Sequence, residues 1–140
     1  MLIGIMGAIY MVLEGVWRGW THISMLVVGG LAAFLIGKLN EHPKFYDRKM
    51  WQECLIGTFI ILVLEFTSGM ILNVRLGLGI WDYSNEPLNL YGQICLPYAL
   101  LWFFLVPFSI YVDDYLRYKL FEEKKPAGLL KNYKDLVTLQ

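Results

Sequence analysis

Two glutamates stand well inside mostly apolar stretches: Glu14 in Met1–Trp17, and Glu65 in Trp51 to about Val74, which also carries Glu53 near its start. An ionisable group in a hydrocarbon setting is costly, so it is paired, hydrogen-bonded, neutral or functional. Arg18 follows Glu14 by four residues, the favoured order for a helical ion pair. Glu65 has no cation near it in sequence, but Ser68 and Asn73 fall on its helical face. Arg75 and a polar, aromatic stretch follow: Trp81, Asp82, Tyr83, Ser84, Asn89 and Gln93. Two carboxylates at one depth could work as acid and base, because burial separates the protonation of such groups. They could equally hold a polar group of a bound molecule. The plainer alternatives are an interfacial Glu14–Arg18 pair and a neutral Glu65 bonded to a backbone carbonyl. Trp81 and Tyr83 would then be interfacial anchors, and Asp82 the cap of a turn through Ser84 and Asn85. If the cluster closes, Glu65 should meet Trp81, Tyr83 or Asn89, and Asp82 should bond backbone amides or Arg75.

The elements that must position these residues follow from composition and apolar run length. The chain has 140 residues, 57% hydrophobic and only 17% charged, against about half and a quarter in soluble domains. Twelve Lys and Arg balance twelve Asp and Glu, which excludes a broad basic face for nucleic acid. Hydrophobicity this high excludes a disordered tail, and two cysteines are too few for a disulfide scaffold. The remaining class is an all-α polytopic membrane protein. Four transmembrane helices are expected: Met1–Trp17, Ile23–Gly37, Trp51 to about Val74, and Ile94–Val112, the last running on as a helix through Asp113 to Lys124 and stopping near Pro126 and Gly128. The second would reach only about 23 Å, so it must borrow Thr21, His22 or Lys38 or thin the bilayer. A cleaved signal peptide is the rival reading of the N-terminus, but no basic residue precedes Arg18.

Charge then orients the chain. Ten of the twelve basic residues lie in two segments, Lys38–Lys49 and Arg117–Lys134, which two spans separate. Basic loops stay on the cytoplasmic side, so both termini are expected there, in the plasma membrane if the source is bacterial. Arg75–Gln93 then faces outward, and Glu14, Glu65 and Asp82 share the outer half of the bilayer. The domain division is a four-helix unit, 1–124, and a cytoplasmic tail, 125–140. In the tail Leu129, Leu130, Tyr133, Leu136 and Val137 form a short amphipathic helix. It could lie on the inner leaflet, dock on a partner, or pack on its own helices. Gly29, Ala33 and Gly37, with Gly4 and Ala8, have the spacing of close helix contacts. That spacing points to a homo-oligomer or hetero-complex in contact with membrane lipid, with no nucleic-acid partner. His22 and His42 fall on opposite sides, so no metal is expected. Cys54 and Cys95 are too far apart to pair. No phosphate loop is present, no cofactor is expected, and any ATPase would be a separate chain.

Leu64-Glu65-Phe66-Thr67-Ser68-Gly69, Trp81-Asp82-Tyr83-Ser84, Asn89-Leu90-Tyr91-Gly92-Gln93 and Trp102 together resemble a known pattern. They are similar to the CmpB family of type IV ABC-transporter permeases, which includes vertebrate transmembrane protein 229. Glu14 also fits a glutamate that family carries in its first span. The resemblance implies a polytopic membrane protein of transporter type. Three functions follow: a permease-like or substrate-binding membrane subunit, a membrane-embedded enzyme acting on a lipid or isoprenoid, or a structural assembly factor.

Overall fold

The structure is a computed structural model that describes residues 1–41 and 48–140, so His42 and Lys44 lie outside the described residues. Among these residues it is all-helical. Helix α1 runs Leu2–Arg18 and α2 runs Ser24–Gly37, extended by a 3₁₀ turn over Lys38–Asn40. Helix α3 runs Met50–Gly69 and continues as a π-turn, Met70–Arg75. Helix α4 runs Leu96–Phe121 and α5 runs Leu129–Val137.

Among the described residues, two helices are long and apolar enough to cross a membrane: Met50–Arg75 and Leu96–Phe121, each of 26 residues. Each would reach about 39 Å. Helix α2, with 14 residues, is apolar but shorter. The outward surfaces are oily: Val12, Val27, Phe59, Val63, Leu100 and Phe104 are all exposed. Apolar patches of this extent are rare on soluble monomers.

Helix α1 ends at Gly19, whose left-handed backbone (φ 82°) closes the turn into α2. The α1–α2 pair approaches backbone to backbone. A side chain at Gly7 would overlap the Leu26 carbonyl, and one at Gly30 would overlap the Ile3 carbonyl. Helix α2 is the centre of the bundle and touches α1, α3 and α4. Gly29 leaves room for the Tyr10 ring of α1, and Gly37 for the Asp113 carboxylate of α4. The contacts of these two glycines thus lie within one chain, and they do not require a second copy.

The core gathers Ile36, Cys54, Val106, Ile110 and Leu136. Leu136 belongs to α5, so the amphipathic helix packs on its own bundle. It docks beside Pro107, which lacks the N–H that the preceding turn would accept. Tyr133 Oη donates to the Phe104 carbonyl (2.6 Å) and Asn132 Nδ2 to the Pro107 carbonyl (3.3 Å). Cys54 and Cys95 are both buried free thiols.

Candidate functional site

Glu14 and Glu65 border one cavity of about 530 Å³ lined by α1–α4 and by Tyr83 of the loop before α4. Helix α1 packs along α2 and scarcely touches α4. The exposed Val16 and Trp17 of α1 and Leu105 of α4 line the cavity at that gap. On α4 the lining runs from Tyr98 to Val112, about 21 Å along the helix. The carboxylates sit at the Tyr98 end. Toward Val112 the walls are apolar except for Ser109.

Glu14 is tied down. Its Oε1 accepts from Arg18 Nη1 at 2.7 Å and its Oε2 from Thr21 Oγ1 at 2.5 Å. Arg18 Nη2 also donates to the Ile80 carbonyl, and its guanidinium lies 4.7 Å from the Trp20 ring centre. The arginine therefore joins the end of α1 to the loop that follows the π-turn.

Glu65 is 8% exposed and is held by neutral donors. Tyr83 Oη donates to Oε1 at 2.9 Å, and Trp102 Nε1 to Oε2 at 3.2 Å. Behind these donors runs a chain of rings. Tyr83 stacks on Tyr98 with centres 4.7 Å apart, Tyr98 lies 6.4 Å from Trp102, and Trp102 lies 6.2 Å from Tyr10.

The loop carrying Tyr83 is fixed by polar side chains that do not themselves line the cavity. Asn73 Oδ1 accepts from the Ile80 amide (2.7 Å) and its Nδ2 donates to Gln93 Oε1 (2.9 Å). Trp81 is buried, with Nε1 donating to the Gln93 carbonyl at 3.0 Å. Gly69 admits both, because a side chain there would meet Gln93 and the Trp81 ring. Asn89 Nδ2 donates to the Glu86 carbonyl at 2.9 Å, and its Oδ1 accepts from the Gly92 amide at 3.1 Å. Gly92 adopts φ 67° and abuts Asp82 and Ser84, a place where both its conformation and its size are needed.

Several sequence expectations differ from this geometry. Asp82 is exposed and lies outside the cavity. It accepts from the Ser84 amide at 2.9 Å and from Ser84 Oγ, and these bonds hold its carboxyl below the usual range. A local turn two residues long wins over a distant cluster because it costs little chain entropy. Arg75 is exposed and forms no ion pair among the described residues, since the π-turn leaves it at the surface. Ser68 returns its hydroxyl to the Leu64 carbonyl at 2.6 Å, as serines within helices often do. As expected, Glu65 meets one of its three candidate partners, Tyr83, while Trp81 and Asn89 bond elsewhere in the loop.

Sequence reasoning also missed residues. Tyr10 stands four residues before Glu14, and Tyr98 four before Trp102. Helical spacing placed each pair on one face, and that arithmetic could have found them. Nothing local linked Trp102 to Glu65, which is 37 residues away.

No solved structure matches the chain. The family model described as "Putative ABC-transporter type IV" matches residues 4–129, all but the first three and last eleven residues, and the chain belongs to that family.

Proposed function

We propose that the protein is a substrate-binding membrane subunit that admits amphipathic molecules from the lipid through the gap between α1 and α4. One observation carries this reading: a cavity open between two helices, with carboxylates and aromatic rings at one end and mainly apolar walls beyond. Such a shape suits a head group and a tail. It does not suit a hydrophilic pore, which would need polar lining along its length. The acid–base reading is weaker, because Arg18 and Thr21 already occupy both oxygens of Glu14.

In this reading α1 and α2 also span the bilayer, giving four spans with both termini cytoplasmic. The basic residues flanking α3 and α4 support that orientation. The carboxylates then lie in the outer half. A single cysteine at Asn85, in a Cys54→Ala/Cys95→Ala background, should react with an impermeant thiol reagent on intact cells. One at Lys124 should react only after lysis. The reverse result would invert the topology.

The cavity itself is tested by filling it. Ala33 lines it, so Ala33→Trp should abolish amphiphiles that remain bound to the purified protein by native mass spectrometry. Ala8→Trp, at an exposed position outside the cavity, should not. Equal retention in both variants would mean that the cavity holds nothing.

A further inference from the structure

The two carboxylates differ in one respect that decides what the cavity can accept. The charge of Glu14 is matched by Arg18 at 2.7 Å. Glu65 has only the neutral donors Tyr83 and Trp102, and no cation within ion-pair distance among the described residues. A buried carboxylate with neutral donors alone is either protonated or awaiting a counterion. Around it stand Tyr83, Tyr98, Trp102 and Tyr10, all lining the same end of the cavity. Aromatic faces attract cations, and more strongly when water is excluded.

We propose that the cavity selects a monocationic amphiphile, with an ammonium group beside Glu65 among these four rings and its alkyl tail along the apolar wall toward Val112. This rests on the reading of the cavity as a binding site for amphipathic molecules, and adds the charge of the head group. An anionic head would meet Glu65 with no free cation among the described residues that line the cavity, and the nearby Arg18 is already engaged by Glu14 and the Ile80 carbonyl. A neutral alcohol would gain the apolar wall and could donate a hydrogen bond to the carboxylate, but it would bring no charge to the carboxylate or the rings. The volume of about 530 Å³ lies within the range of small-molecule sites, about 300–1,000 Å³.

The test uses the full chain in maltoside micelles and three radiolabelled probes of equal tail length: decyltrimethylammonium, decanol and decyl sulfate. The cation should bind saturably, at least about tenfold more tightly than decanol, and decyl sulfate should bind no better than decanol. Glu65→Gln should remove most of the cation's advantage over decanol, the rings keeping the remainder, and leave decanol unchanged. If cation and alcohol bind equally to the unaltered protein, the head-group assignment is wrong while the cavity reading stands. If decyl sulfate binds most tightly, the assignment is likewise wrong. If none of the three binds, the cavity reading fails as well. The comparison of probes on the unaltered protein decides the matter even if Glu65→Gln does not fold.

Discussion

Arg117→Ala is expected to lower stability by about 3–5 kcal/mol, the cost of breaking a buried ion pair by removing one partner. Asp113 is fully buried at the end of α4 remote from the Glu65 cluster. Its Oδ2 accepts from Arg117 Nε at 2.8 Å, while its Oδ1 has no hydrogen-bond partner. Arg117 also approaches Glu41 Oε1 at 2.5 Å and Glu123 at 3.8 Å. Without the arginine, a carboxylate with no exposure would be left near Glu41, whose own partner Lys38 lies at 2.7 Å. Gly37 presses directly on the Asp113 carboxylate, so the side chain has no room to turn toward water.

The control for that result is a double change. Asp113→Asn/Arg117→Gln removes both charges and keeps much of the volume. It should cost clearly less than Arg117→Ala alone, because no lone charge is left buried. Denaturant unfolding in detergent, followed by helical circular dichroism, measures both. A single variant within about 0.5 kcal/mol of the parent, the range of ordinary surface changes, would mean that water reaches Asp113.

Local arithmetic read some of these features well and long-range ones poorly. The apolar runs marked α3 and α4 within a few residues at most boundaries, because run length and period are properties of consecutive residues. The helix expected to run on from the fourth span through Asp113 to Lys124 ends at Phe121. The Glu14–Arg18 spacing pointed to a contact that the helix makes at 2.7 Å. The same spacing from Asp113 to Arg117 was passed over, because the arginine was counted only as a loop charge. The Gly29/Ala33/Gly37 stripe carried the signal of close approach but not the identity of the neighbour. That neighbour is Tyr10 in one case and Asp113 in another. Trp102 reaches Glu65 only because α4 returns beside α3, and no spacing rule within a single helix can register that pairing.

Glu65 gives the second large effect, and two substitutions separate what its shape does from what its charge does. Glu65→Leu should destabilise by about 1–3 kcal/mol, the cost of leaving buried donors unsatisfied. The stranded groups are Tyr83 Oη and Trp102 Nε1, now at 2.9 and 3.2 Å. The tyrosine belongs to the loop that Asn73 and Gln93 fix to the π-turn. It therefore cannot move to another acceptor without breaking those bonds. Glu65→Gln keeps an acceptor oxygen for Trp102 Nε1, and its NH2 can donate to Tyr83 Oη, whose hydroxyl accepts as well as donates. Its stability should stay within about 1 kcal/mol of the parent, because only one hydrogen bond is compromised. If Glu65 serves only the fold, Gln will be close to silent in every assay and Leu will not. If Glu65 serves a bound cation, Gln will unfold with the parent yet lose binding. Unfolding curves of the two variants, set beside ligand affinity for the glutamine variant, therefore distinguish a structural carboxylate from a binding one. Should Leu prove as stable as the parent, the two hydrogen bonds would not be supporting the fold, and the loop would be held by its other bonds, those of Asn73, Gln93, Trp81 and Arg18.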